Sequence, residues 1–373
     1  MQQPQLLAAK IGLEYKGLSA KLGDIMNQPI SLDTALDLRD RGVLLVDARS
    51  PAEFADATIP GAINVPVLDD AERCEVGTLY NQQGKQQARR RGVEIVAPKI
   101  PSMIDRVEQA RTQGTNMVVV FCWRGGMRSR ALTQFLELAG IPARQLAGGH
   151  KQFRRHVLDF FETGKWGRML VLRGLTGVGK TKALQQLAAA GFPVIDLEGL
   201  ANHRGSAFGN LGLPEQPTQK MFEALLWDQL RHIQVDDYVL VEGESRHIGR
   251  VRLPQNVHQA MQSQTSLWLN ASLATRTRNI LDDYPAIDRF KEQFLAPIKA
   301  LKERLGAQTV AEFEELLHRG EWQTLVQELM IRYYDPLYRH TFPEQHIEID
   351  YDDPEEGFEA LQLAVKTLLN TRD

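Results

Sequence analysis

The run Gly174-Leu175-Thr176-Gly177-Val178-Gly179-Lys180-Thr181 constrains this chain more than any other segment. It fits the phosphate-binding loop pattern in full, a glycine, four residues, then glycine-lysine-threonine. The apolar run Arg168 to Arg173 before it reads as a strand, and a helix is expected after it, which is the setting the motif needs. The backbone amides around Gly174, Gly177 and Gly179 would cradle a diphosphate, Lys180 would neutralise it, and Thr181 could hold a magnesium ion.

A second centre lies upstream. Met117-Val118-Val119-Val120-Phe121 has the character of a buried parallel strand and passes directly into Cys122-Trp123-Arg124-Gly125-Gly126-Met127-Arg128-Ser129. A helix is expected from Arg130 to Ala139. Successive amides of such a loop can form an anion nest in front of a helix N-terminus, and Arg124 and Arg128 add positive charge. These features favour a nucleophilic thiolate at Cys122. A lone cysteine is more often a buried apolar residue, but the glycines and arginines around this one favour the reactive reading. Cys74 has no such surroundings.

Around these centres the pattern is strand–helix alternation, so the expected fold class is α/β, with two parallel-sheet domains. A helix is expected from Leu32 to Arg41, stopped by Gly42, and a strand over Val43 to Asp47. The polar, glycine-containing link Glu162 to Gly167 separates the first domain, 30–160, from a P-loop domain over 167–373. Residues 1–29 are an extension of unassigned role. Further strands are expected at Pro193 to Asp196, Tyr238 to Glu242 and Thr265 to Asn270. From Glu312 onward the sequence reads mainly as helices.

Composition excludes several classes. Of 373 residues, 44 are Lys or Arg and 47 are Asp or Glu, so the formal charge is −3 and any RNA must be held by a local basic surface. Two cysteines make no disulfide framework, and the nine histidines show no zinc-ligand spacing, so no metal ligand set is assigned. The longest uninterrupted apolar run, Met117 to Trp123, is too short to span a bilayer, and Lys10, Glu14 and Lys16 interrupt any signal core. A cytoplasmic protein with no membrane partner is expected.

The first domain resembles the rhodanese family. Val46-Asp47-Ala48-Arg49-Ser50-Pro51-Ala52-Glu53-Phe54 and Ile59-Pro60-Gly61-Ala62-Ile63-Asn64-Val65-Pro66 look like two of its structural signatures, and the Cys122 loop looks like its third. Asp47, Arg49 and Glu53 are then fold-supporting. Five residues separate Cys122 from Arg128, a longer loop than sulfur-transferring members usually have and one that also matches cysteine phosphatases. With the downstream P-loop and Asn202-His203-Arg204-Gly205-Ser206, nearly the whole chain is similar to the bacterial tRNA 2-selenouridine synthase family.

That resemblance implies replacement of sulfur by selenium in 2-thiouridine at the tRNA wobble position, through an S-geranyl intermediate. Selenophosphate and geranyl diphosphate would be co-substrates, with no tightly bound cofactor, magnesium left open, and a selenophosphate-producing enzyme as a conceivable partner. Lys180 and Thr181 would hold the prenyl diphosphate, while Cys122 would take selenium or assist its delivery. His203 and Arg204 would contact substrate, Glu242 or Glu244 would hold metal through water or line the rim, and Arg276 and Arg278 would clamp phosphate or lie on a solvated helix face. Candidate RNA contacts are Arg89-Arg90-Arg91, Lys151 with Arg154 and Arg155, and Arg246 with Arg250 and Arg252; Trp123 is a candidate stacking partner. The alternatives are a sulfurtransferase or cysteine phosphatase of rhodanese fold joined to an ATP-using kinase-like domain.

Overall fold

The computed structural model describes residues 28–111, 117–284, 291–338, 343 and 345–370. The extension read from the sequence therefore lies outside the described residues as far as Asn27. The chain divides after Leu158 into two compact units. Among the described residues no helix is long and apolar enough to cross a membrane.

In the first unit, Ser31 opens helix α1 (Leu32–Asp40) by accepting the Thr34 N–H on its side chain, the expected role of an N-cap serine. Strand β1 (Leu44–Asp47) and the short β2 (Ile63–Asn64) follow, separated by α2 (Pro51–Asp56). Three helices come next, α3 (Asp70–Gln83), α4 (Lys85–Val96) and α5 (Ile100–Ala110). Strand β3 (Val118–Phe121), α6 (Met127–Leu138), β4 (Ala143–Gln145) and α7 (Gly149–Thr163), whose end from Asp159 falls past the division, complete the series.

The sheet is parallel in the order β2-β1-β3-β4, with Val46 beside Val120 and Asp47 beside Phe121. All four β3 residues are fully buried, which explains why the strand is an unbroken apolar run rather than an alternating one. Helix α6 begins at Met127, three residues before the start read from the sequence, because Gly126 serves as its N-cap and ends the loop sooner.

Strand β5 (Arg168–Gly174) begins the second sheet and leads through the P-loop to α8 (Lys180–Ala189). Next come β6 (Val194–Ile195), α9 (Leu197–Ala201), α10 (Gln219–Leu230) and β7 (Tyr238–Glu242). A two-stranded ribbon, β8 (His247–Ile248) with β9 (Val251–Arg252), precedes α11 (Gln255–Ser263), β10 (Ser266–Asn270) and α12 (Leu273–Asp283). Helices α13 (Lys291–Ala300), α14 (Lys302–Arg319) and α15 (Trp322–Leu329), a π-helical turn over Met330–Tyr334 and α16 (Asp335–Tyr338) follow. The unit ends with β11 (His346–Asp350) and α17 (Pro354–Asn370).

The five strands are parallel in the order β11-β10-β5-β7-β6, so the P-loop leaves the middle strand of the sheet. The carboxyl-terminal region is not wholly helical: β11 adds an edge strand, and its Ile349 joins the core with Leu361 and Val365. Helices α13 to α15 form their own apolar cluster with Phe208 and Leu211, which ties the segment after α9 to the helical part.

Candidate active site

Cys122 follows β3 directly and is 3% exposed. Its Sγ accepts the Gly126 N–H at 3.2 Å and lies 3.1 Å from Ser129 Oγ. Gln145 Nε2 donates to Ser129 Oγ at 2.8 Å and to Gly125 O at 2.9 Å, and Ser129 Oγ in turn donates to Gly126 O at 3.2 Å, so the serine is fixed beside the sulfur by the loop's own backbone. The loop is braced from behind by the start of α7, where the His150 and Lys151 N–H groups donate to Cys122 O and Trp123 O, both at 2.8 Å. Gly149 makes that approach possible: it has φ +57°, and a Cβ on it would lie 2.1 Å from Cys122 O. Gly149→Ala is therefore expected to cost about 2 kcal/mol or more and to displace the cysteine loop. The check is a urea midpoint together with the alkylation rate of Cys122; unchanged values for both would contradict this packing.

The two arginines of the loop differ. Arg124 is exposed. Arg128 was expected to lend charge to the anion nest, but its guanidinium is taken by Glu53, with Nη1 at 2.5 Å and Nη2 at 3.3 Å from the carboxylate. Burial alone would raise the Glu53 carboxyl. Its hydrogen bond and charge contact with Arg128, the Ser50 N–H and Arg73 overcome that and hold it at about 2. Glu53 thus does more than cap α2, since it fixes an arm of the cysteine loop. Asp47 and Arg49 do support the fold: they form a buried pair at 2.6 Å, to which Thr58 adds a hydroxyl donor at 2.9 Å. Trp123 is 40% exposed, with its ring 5.8 Å from that of His150.

In the second unit, Gly177 and Gly179 adopt φ of +82° and +97°, the left-handed backbone that turns a P-loop inward. Lys180 Nζ donates to Gly174 O at 3.0 Å, and Thr181 Oγ1 donates to Glu198 at 3.1 Å. Gly174, Gly177, Gly179, Lys180, Thr181 and Arg204 line one cleft of about 1260 Å³. Its apolar wall includes Phe208, Tyr284, Phe294, Leu329 and Met330. The Arg204 guanidinium stacks 4.7 Å over the Tyr284 ring and donates to Leu211 O at 2.8 Å.

Glu244 and Arg246 also line this cleft, whereas His203, Glu242, Arg276 and Arg278 lie outside its lining. His203 is buried, and an added Cβ on either Gly209 or Gly249 would press on its ring; burial lowers its pKa. Glu242 is fully buried beneath the cleft and accepts the Glu198 N–H at 2.6 Å. Arg276 does not reach out to clamp phosphate: it is 4% exposed and gripped by both Asp335 oxygens at 2.8 and 2.9 Å. It also donates to Thr176 O, so it braces the P-loop from outside. Arg278 is exposed and its nearest partner is Thr275 Oγ1 at 3.4 Å.

Glu198 was not singled out in the sequence. Its signal was position, because it opens a helix just past a strand end at the sheet edge where ligands bind. It bonds to Glu244, and the two carboxyls stand beside Lys180. Burial, then repulsion from Glu198, pushes Glu244 up to about 8, and burial raises Glu198 and Glu242 as well. The fold keeps such protons while an unfolded glutamate near 4.5 releases them, so the second unit should lose stability as pH rises from about 4.5 to about 8. Glu244→Gln should flatten that decline in urea midpoints; an equal decline in the variant would contradict the assignment. Among the described residues, no three His, Cys, Asp or Glu side chains converge as a metal site.

Of the basic clusters, Arg91 is tied to Glu75 and Glu94, and Arg90 lies 3.5 Å from Glu94. Arg250 pairs with Glu215, whereas Arg246 and Arg252 are exposed.

The fold and the two loops define a rhodanese-type unit followed by a P-loop unit in one chain. Residues 31–156 match the model of the rhodanese-like domain, and residues 167–363 match that of the tRNA 2-selenouridine synthase AAA domain. A tRNA 2-selenouridine synthase of Nitrosomonas eutropha is 33% identical over 84% of this chain and 92% of its own. Those of Cupriavidus necator and Pseudomonas syringae pv. syringae are 35% and 34% identical, over 80% and 82% of this chain and 88% and 90% of theirs. The chain belongs to the tRNA 2-selenouridine synthase family.

Proposed function

We propose that this chain is a tRNA-modifying enzyme that converts wobble 2-thiouridine to 2-selenouridine through S-geranyl-2-thiouridine. The observation that carries the reading is the cleft in which a diphosphate cradle opens onto an aromatic and aliphatic wall. A prenyl diphosphate needs both surfaces. At about 1260 Å³ the cleft also exceeds the roughly 300–1,000 Å³ of an ordinary small-molecule site, leaving space for a base.

In the first step the thiocarbonyl sulfur attacks C1 of the geranyl group. The C–O bond breaks, diphosphate leaves with the electron pair, and the base loses its N3 proton. Lys180 and the loop amides stabilise the departing diphosphate; Thr181 and Glu198 are the groups that would meet a magnesium ion bound with it. In the second step the selenium of selenophosphate adds at C2 and geranylthiolate leaves, a better leaving group than the sulfur of the bare thiocarbonyl; water then attacks phosphorus, the P–Se bond breaks, phosphate departs and N3 regains a proton. Cys122 serves this selenium step, with Ser129 and the Gly126 N–H beside its sulfur.

The test is to incubate purified protein with 2-thiouridine-containing tRNA and geranyl diphosphate, then selenophosphate, and to analyse the nucleosides by mass spectrometry. Geranylated and then selenated uridine is expected. Unchanged tRNA, accompanied by hydrolysis of ATP or of phosphoesters, would favour the kinase-like or phosphatase reading instead.

A further inference from the structure

The P-loop and the apolar wall leave one polar part of the same cleft unused, where Arg173, Arg246, His258 and Gln262 line it. Arg173 immediately precedes Gly174 at the end of β5 and is only partly exposed. Its Nε donates to Ser266 Oγ at 2.9 Å and its Nη2 to Met261 O at 3.1 Å, so the guanidinium is held against β10 and α11. Gly243 lets the side chain pass, since a Cβ there would lie 2.6 Å from Arg173 Cγ.

Gln262 joins the two neighbours. Its Oε1 lies 3.4 Å from Arg173 Nη2, and its Nε2 lies 3.3 Å from His258 Nε2. With Gln262 donating, His258 Nε2 is the acceptor and its Nδ1 carries the proton, ready to donate in turn. Among the described residues, no carboxylate pairs with Arg173 or Arg246. Burial lowers the Arg173 pKa, and burial together with the charges of Arg246 and Arg173 lowers that of His258. Arg173, a partly buried cation facing the exposed Arg246 with no described carboxylate against either, favours an anion that joins the two.

We propose that Arg173, Arg246 and His258 form a second phosphate site in the cleft, which takes a backbone phosphodiester of the RNA strand carrying the target base. This deepens the function proposed above and rests on its tRNA substrate. The P-loop already accounts for the donor diphosphate, so a second cationic pole in the same space suits the acceptor. Arg246 is exposed while Arg173 is not, which grades the site from mouth to interior as an entering strand requires. Arginine on a phosphate oxygen gives a strong, charge-assisted contact without reading sequence.

The experiment measures binding of a fluorescein-labelled anticodon stem-loop RNA by anisotropy over a range of salt, and of inorganic diphosphate by calorimetry. Arg173→Gln and Arg246→Gln should each weaken RNA binding roughly tenfold and lower the salt slope by about 0.7, one single-strand phosphate contact each. Their diphosphate affinity should stay at the wild-type level, whereas Lys180→Ala should lose diphosphate. Because Arg246 is exposed, its variant reads the site even if Arg173→Gln misfolds. RNA affinity and salt slope unchanged in Arg246→Gln would overturn the proposal, as would loss of diphosphate binding in folded Arg173→Gln. Failure of the wild-type protein to bind the RNA would sink the tRNA reading and this phosphodiester site with it. Binding of inorganic phosphate to Lys180→Ala that Arg246→Gln abolishes would then assign the pocket to a free anion.

Discussion

Lys180→Ala is expected to lower diphosphate affinity and the rate of geranyl transfer by roughly 100-fold, about 3 kcal/mol. Lys180 Nζ donates to Gly174 O at 3.0 Å, within the motif it serves. It is also the cation beside Glu198 and Glu244, whose carboxyls burial raises, Glu244 to about 8. A leaving diphosphate therefore meets a lysine whose charge Glu244 does not cancel near neutral pH. Replacing Lys180 removes the charge but leaves Gly177 and Gly179 to shape the loop, so the loss should be functional and not one of folding. Calorimetric titration with diphosphate, beside a urea midpoint, separates the two. Wild-type affinity in the variant would remove the P-loop from the prenyl step.

Asp47→Ala should have the largest effect on stability, about 3–5 kcal/mol for the first unit. Arg49 is 2% exposed and lies among Asp47, Ala57 O and the backbone around β1. Without the Asp47 carboxylate its charge is stranded in an apolar interior, and the Thr58 hydroxyl loses its acceptor too. The same carboxylate accepts the Arg49 N–H at 3.0 Å, which fixes the bend after β1. Because β1 pairs with β3 along its full length, the damage should extend to the strand that presents Cys122. Urea denaturation monitored by Trp123 fluorescence, with the other tryptophans replaced by phenylalanine, should show the midpoint fall. A shift below about 1 kcal/mol would mean that the pair contributes little.

Much of this was legible in the sequence because the decisive features are local. Strand β3 is an unbroken apolar run and β5 has an apolar centre from Met169 to Leu172, and each leads into a glycine-rich loop whose pattern survives without knowledge of the fold. The fate of side chains reaching across the structure was not legible. Arg276 sits in a phosphate-clamping segment by sequence, yet Asp335, 59 residues on, binds both of its terminal nitrogens. Arg128 is similarly claimed by Glu53, 75 residues earlier. Glu198 escaped notice because no motif marks it; only the fold brings it to Thr181. Strand β11 was missed because its sequence, His346-Ile347-Glu348-Ile349-Asp350, is short, charged and on the sheet edge, with little of the apolar character that marks a central strand.

If the two loops serve two successive steps, supplying the intermediate should separate their residues. Lys180→Ala and Cys122→Ala would each be given tRNA already carrying S-geranyl-2-thiouridine, with selenophosphate, and the nucleosides analysed by mass spectrometry. Lys180→Ala should make 2-selenouridine at close to the wild-type rate, because its missing step is bypassed, while Cys122→Ala should leave the geranylated base largely unconverted. Conversion by Cys122→Ala at the wild-type rate, or failure of Lys180→Ala on this substrate, would contradict the division of labour between the two centres.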